Sequence, residues 1–397
     1  MTYTAHKADR VFSTSVEDFP RPHGKLEDWR FTPTRRFTPL AQVPEESARR
    51  AWTIDLSTPG GAQLTRLART DSPAGQVELP SDRLAAVAWN SSKDVDVLRF
   101  PADATAAEPT VLTIDTAAEA HPPAGASAGD TSTPATVVTC GHLVVEVPAN
   151  TSAKLLVYRS GEGLQADNIE FSVGDNATLT VAFVNLWDDD AVVASAHHAH
   201  VGRDARLHHG IITLGGGATR TTTSVKYGGP GGDVDLLGLF FGGAGQHVEN
   251  RLLIDHQFAH CRSNVNYKGA LLGSPNSKLG DAHGVWVGDV LIRPEAHGTD
   301  TYESNRNLLL SKASRVDSIP NLEIATGQII GAGHASTTGR FDEEQLFYLQ
   351  SRGIDEVTAR QLVVRGFFHD IVHKLNLPSL EDELDAVVIR QLERAGL

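Results

Sequence analysis

A short turn recurs in the middle of the chain, and each time an apolar position follows it. Gly174-Asp175-Asn176-Ala177-Thr178-Leu179 matches Gly202-Arg203-Asp204-Ala205-Arg206-Leu207, 28 residues on, and Gly231-Gly232-Asp233-Val234-Asp235-Leu236 follows after 29 more. Ser274-Pro275-Asn276-Ser277-Lys278-Leu279 comes 43 residues later still, so the period is loose. Gly, Asn and Asp accept the left-handed backbone angles that a tight corner needs, and the apolar residue behind the corner points into a stack. Between the corners lie runs such as 143–147, 155–158 and 179–184, rich in Leu, Val and Phe, which read as strands. Turn plus strand at this spacing predicts a mainly β fold, a parallel β-solenoid. An ordinary β-sandwich is the competing arrangement.

The flanks differ from this centre. Residues 1–83 read as a small mixed domain, with a Pro-rich entry (Pro20, Pro22, Pro33, Pro39, Pro44) and a helical stretch from Glu45 to Trp52. The β-helix core is expected over 84–337, interrupted from Ala104 to Pro134 by a surface loop of Ala, Pro, Gly, Ser and Thr. A helical domain is expected over 338–397. There Asp355 caps a helix that Gly366 should end, and Phe367, Ile371 and Leu375 line a second, which Asn376 and Pro378 should stop. Ser379 and Asp382 open a third, with Leu380, Leu384, Val387, Val388 and Leu392 on one face. That face serves the bundle's own core or a partner equally well.

A net charge of −14 disfavours a polyanionic partner such as nucleic acid. The N-terminus lacks a signal-peptide core and no apolar run is long enough to cross a bilayer, so a cytoplasmic location is expected. With only Cys140 and Cys261, the chain cannot form a four-thiolate metal site by itself.

The histidines of 197–209 (His197, His198, His200, His208, His209) are the obvious metal lure. On a strand, however, His198 and His200 share a face while His197 points away. The expectation is a ladder of imidazoles along the outside of successive coils. Gly215-Gly216-Gly217 and Gly228-Gly229-Pro230-Gly231-Gly232 lack the strand-to-helix context of a phosphate loop, and no Gly-x-Ser-x-Gly elbow occurs. Asp233, Asp235 and Arg251 would suit a carbohydrate-active groove on a β-helix. A stand-alone enzyme, that or a metal hydrolase, is therefore the alternative function.

The densest stretch runs Pro320-Asn321-Leu322-Glu323-Ile324, Gly333-His334-Ala335-Ser336-Thr337-Thr338-Gly339, Glu343-Glu344-Gln345-Leu346-Phe347-Tyr348-Leu349 and Ser351-Arg352-Gly353-Ile354. It resembles the C-terminal signature of the SufB/SufD family of the SUF iron-sulfur cluster assembly system. Tyr267-Lys268-Gly269 and Glu27-Asp28-Trp29-Arg30 support the resemblance upstream. Length, few cysteines and His334 match the SufD branch. The resemblance implies a right-handed parallel β-helix between helical domains, acting as a scaffold without enzyme activity of its own. It implies pairing with SufB through the β-helix and docking of the SufC ATPase on the C-terminal helices. It also implies a transient iron-sulfur cluster, and reduced flavin (FADH2) in the complex as a whole. His334 matches the histidine implicated as a cluster ligand at the SufB interface. Ala332 stands where many relatives carry Cys, which leaves no thiolate there. Cys261 is kept as a candidate for handling sulfur. A terminal coil with an open strand edge would also let the isolated chain form a homodimer.

Overall fold

The computed structural model describes residues 10–57, 61–102, 104–105, 108–116, 137–275, 280–341, 343–375, 377, 386–390 and 392–393. Much of the expected Ala104–Pro134 loop, and the start of the expected third C-terminal helix, lie outside these residues, but Thr110–Asp115, expected in that loop, is a strand that buries Leu112 and Ile114 in the core. Short strands β1 (Arg49–Ala51), β2 (Thr53–Ser57), β3 (Gln63–Ala68), β4 (Asp94–Arg99) and β5 (Thr110–Asp115) lead into a long series that alternates between two sheets. The first sheet holds β6 (Val138–Val147), β8 (Leu164–Val173), β10 (Val192–Val201), β12 (Ala218–Tyr227), β14 (His247–His256), β16 (Ala282–Ile292) and β18 (Ser314–Ile324). The second holds β7 (Ser152–Gly161), β9 (Thr178–Trp187), β11 (Arg206–Gly215), β13 (Asp233–Gly243), β15 (Arg262–Leu272), β17 (Asp300–Leu309) and β19 (Gly331–Arg340). Every pairing within these two series is parallel, giving a β-helix of about seven coils as the repeat predicts.

In-register stacking turns single residues into columns. Val145, Phe171, Ala199, Val225, Ile254, Val290 and Leu322 sit above one another inside the coil. On the opposite wall Leu155, Val181, His209, Leu236, Val265, Glu303 and His334 do the same. One corner column is built from left-handed residues, with φ of 59° at Asn150, 56° at Asn176, 55° at Asp204, 80° at Gly231, 60° at His260 and 69° at Gly298. Each donates its N–H to a carbonyl of the next coil's corner, as Asn176 does to Arg203 and Asp204 to Pro230. The recurring Asn, Asp and Gly are thus a stacked corner. The third match is out of register by two residues: Leu207 lies beside Val234 and not Leu236, because Gly231 takes the left-handed corner position of Asp204 and not the place of Gly202. Of the segment from Ser274, Ser274 and Pro275 follow β15 at a different corner, and residues 276–279 lie outside the described residues.

The N-terminal residues cover the outer face of the first sheet. Helix α2 (Arg83–Ser91; α1 is Thr34–Phe37) is capped by Asp82, which accepts from the N–H of Ala85 at 2.9 Å. With Trp29, Phe37 and Leu40 it packs on Val138, Cys140, Ala166 and Ala194. The expected helix from Glu45 to Trp52 is instead a single 3-10 turn, Glu46–Ala48, followed by β1, which pairs with β6. The reason is tertiary: Trp52 is buried in the core of the first coil, and its ring lies where any side chain at Gly141 would collide. An extended backbone places that indole over the N-terminal end of the stack.

The C-terminal helices α3 (Glu343–Ser351) and α4 (Glu356–Lys374) lie on the second sheet. Phe341, Leu346, Val364, Phe368, Ile371, Val372, Val387, Val388 and Leu392 share one core with Ile212, Leu214, Leu237, Leu239 and Phe241. Asp355 caps α4 as expected, accepting from the N–H of Thr358 at 3.0 Å. Gly366 does not end that helix, which runs on to Lys374, because the buried Val364 and Phe368 on either side hold it against the sheet. The cost of a mid-helix glycine, about 1 kcal/mol, is smaller than the gain from burying one such side chain.

Gly231 tests the corner column. A side chain there would need a left-handed φ and would collide with Asp204 Oδ1. Gly231→Ala is expected to lose about 1–3 kcal/mol in chemical denaturation, whereas Asn176→Gly should stay within about 1 kcal/mol of the parent.

Candidate functional site

The two ends of the stack differ. At the N-terminal end Trp52 is buried inside the first coil and the antiparallel strands β2 and β3 lie beyond it, but after β19 the chain turns at Phe341 onto the outer face of the second sheet and nothing in the described residues covers β18 and β19. Each of these strands pairs on one side only. Ile324 and Ile330 are exposed, and Leu322 and Ala332 are only partly buried where their columns end. Pro320, without an N–H to offer, sits on edge strand β18, where a proline is tolerated.

His334 is the last member of the interior column that descends through Glu303, Val265 and Leu236 to His209. Its side chain points inward by register, yet 45% of it is exposed because no coil follows. Directly beneath, Glu303 is 1% exposed, and neither carboxyl oxygen has a hydrogen-bond partner among the described residues. Its Oε1 lies 3.9 Å from His334 Nδ1. Burial, reinforced by the charge of Asp289, pushes the Glu303 carboxyl up to about 8. Beside them Ser336 donates to Ser318 at 2.7 Å, and Ser318 to Asn305 Oδ1 at 2.7 Å, so the mouth is polar on one side. On the other side it is apolar.

Cys261 sits at the corner before β15, and β17 and β19 stack beyond it toward the mouth. It follows the left-handed His260 in the inward corner column that also contains Ala177 and Ala205. Its thiol contacts the carbonyl oxygen of Gly229 at 3.5 Å, and burial pushes it above the ordinary thiol range. A buried, protonated thiol is a weak nucleophile.

The model of the family described as "SUF system FeS cluster assembly, SufBD core domain" matches residues 130–367, from just before β6 into α4. An iron-sulfur cluster assembly SufBD family protein of Mycobacterium tuberculosis is 46% identical over 390 residues, 98% of this chain and 94% of that one. The chain belongs to the SufBD family. The iron-sulfur cluster assembly protein SufD of Escherichia coli is 25% identical over 288 residues, 63% of this chain and 66% of its own. SufD of Bacillus subtilis is 28% identical over 227 residues, covering 56% and 50%. In this SufBD member the matched region contains β6 to β19 and the open end.

The histidine group is not the external ladder that the sequence suggests. His197 and His209 face each other inside the coil, Nδ1 to Nε2 at 3.0 Å, between the rings of Phe171 and Phe183. Ser195 Oγ, 3.1 Å from His197 Nε2, connects the pair to the buried ion pair of Arg159 and Asp167. Parity along each strand was readable, but which parity faces inward was not. His198 is buried on the outer face, against Glu78 at 3.0 Å and Ser224 at 2.7 Å, while His208 reaches Asp235 at 2.8 Å. Among the described residues no three His, Cys, Asp or Glu side chains converge as a metal site, and no helix is long and apolar enough to cross a membrane. Glu303 carried no sequence signal, because β17 is polar on both faces.

Burial holds His209 down at about 3 and lowers His197 well below its ordinary value, where His209 adds to the effect. The unfolded chain protonates these imidazoles near 6.5 and the folded chain does not. Their contribution to stability is therefore complete above pH 6.5 and is lost progressively as pH falls toward about 3. Denaturant titrations should show about 2–4 kcal/mol lost between pH 6.5 and 4. His209→Leu, set between Val181 and Leu236, should make that slope shallower.

Proposed function

We propose that the chain is a SufD-like scaffold subunit that meets a SufB-type subunit at its open β-helix end, where His334 is a ligand for the iron-sulfur cluster being built. The cluster is cargo, not a resident cofactor. The observation that supports this most directly is His334 itself, an imidazole at the end of an otherwise enclosed column, on a strand edge with unmade hydrogen bonds. A partner strand set against β18 and β19 would bury Ile324 and Ile330 and bring its own side chains to His334. A neutral imidazole replaces thiolate on iron in some clusters, and a weaker, proton-sensitive ligand suits a cluster that must leave. Ala332 offers no thiolate, so the remaining ligands fall to the partner.

A second contact fits the C-terminal helices. Phe347 is 72% and Tyr348 56% exposed on α3, while Leu346 anchors that helix in the core. An exposed aromatic pair on a firmly seated helix suits the docking of a SufC-type ATPase, whose nucleotide-driven movement would then act on the β-helix through α4 and Lys268, which pairs with Asp370.

His334→Ala is expected to leave the complex with the SufB-type and SufC-type subunits intact in an anaerobic pull-down, and to lower cluster formation in it at least tenfold by absorbance and iron content. Loss of the complex itself would assign His334 a packing role instead. The paired substitution Phe347→Ser and Tyr348→Ser should weaken recovery of the ATPase subunit at least tenfold. The thermal midpoint should not move, because both side chains are exposed.

A further inference from the structure

We propose that Glu303 is the positioning residue of His334: its carboxyl accepts the Nδ1–H of the imidazole and so holds Nε2, with its lone pair, toward the open end as the metal-binding nitrogen. This rests on the reading of His334 as a ligand and adds to it the residue that fixes which nitrogen is presented.

The register argues for it first. Glu303 and His334 are direct neighbours across β17 and β19, on the same inward face, so their side chains stack without any rearrangement of backbone. Space is also reserved for the carboxyl. A side chain at Gly288, on the facing wall, would collide with Glu303 Oε2, so the missing Cβ makes the room. That pocket is closed below by the apolar Val265 and at the side by Trp286, whose indole N–H makes no hydrogen bond among the described residues and so does not serve Glu303. Both oxygens are buried without a hydrogen-bond partner among the described residues, a costly state that a donor from His334 would relieve. The polar atom facing that pair is His334 Nδ1, at 3.9 Å from Oε1. A modest turn of the exposed imidazole closes this to hydrogen-bond length, and such contacts tighten when the ligand arrives. A metal-ligating histidine characteristically gives its other N–H to a carboxylate or carbonyl, which fixes tautomer and ring orientation. Asn305 and Ser318, the other polar groups of the mouth, already bond each other.

The test uses the full chain labelled with ¹⁵N at histidine, the His334 signals being those absent from His334→Ala. At a pH above about 8, where the Glu303 carboxyl is ionised and can only accept, the ring nitrogen shifts report which imidazole nitrogen carries the proton. The expected result is a proton on Nδ1 in the parent and in Glu303→Gln, which keeps an acceptor oxygen, and a shift to Nε2 in Glu303→Leu. In the assembled complex, Glu303→Leu should lower cluster formation about tenfold, with Glu303→Gln recovering part of it. A proton on Nε2 in the parent, or a tautomer indifferent to Glu303→Leu, overturns the proposal. The parent spectrum alone decides the matter should the leucine variant not fold. The two readings fail separately. A Glu303-dependent tautomer with normal clusters in His334→Ala would sink the ligand role and spare the positioning. Clusters lost in His334→Ala with an indifferent tautomer would do the reverse.

Discussion

Parallel stacking in register is the constraint from which the rest of this molecule follows. Each coil hydrogen-bonds to the next along two sheets and again at the corner column of Asn150, Asn176, Asp204, Gly231, His260 and Gly298. A backbone hydrogen bond contributes roughly 1 kcal/mol net, while leaving one unmade in the interior costs more, so the corners must repeat if the sheets are to stay aligned. Once alignment is imposed, every inward residue acquires the same neighbours above and below. Apolar columns such as Val145 to Leu322 then build a continuous core out of coils that bury too little alone.

The same stacking makes the ends special, since a column has to stop somewhere. At the N-terminal end Trp52 is buried over Gly141, with its indole N–H on Asp96 at 2.7 Å, and antiparallel β2 and β3 finish the sheets. At the other end the chain departs at Phe341 to cover the second sheet, and the final coil keeps unpaired edges, partly exposed apolar residues and one imidazole over a buried carboxyl. Natural sheets rarely leave such an edge without a partner or a blocking device. Membership of the SufBD family gives this end a context, and the uncovered column places His334 where a second subunit can reach it.

Much of this was legible in the residues. The Gly, Asn and Asp corners with an apolar position behind them announced a solenoid, the signature from Pro320 to Ile354 announced the family, and Asp355 announced a cap that α4 uses. Other expectations failed for tertiary reasons. Gly366 reads as a helix end, yet burial of Val364 and Phe368 carries the helix through it. The stretch from Glu45 reads as a helix, yet Trp52 is needed at the mouth of the first coil and the backbone extends to deliver it. His197 and His209 read as surface imidazoles, yet register turns both inward.

The sequence by itself determined that the centre coils and that the corners carry left-handed residues, because local conformational preference and contiguous motifs are written in neighbouring positions. Only the tertiary structure decided which parity of each strand faces the interior, that Glu303 lies under His334, and that the last coil is left uncovered among the described residues. Those relations join residues a full coil or more apart in the chain, and the loose, insertion-bearing period hides their alignment until the hydrogen bonds between coils fix it.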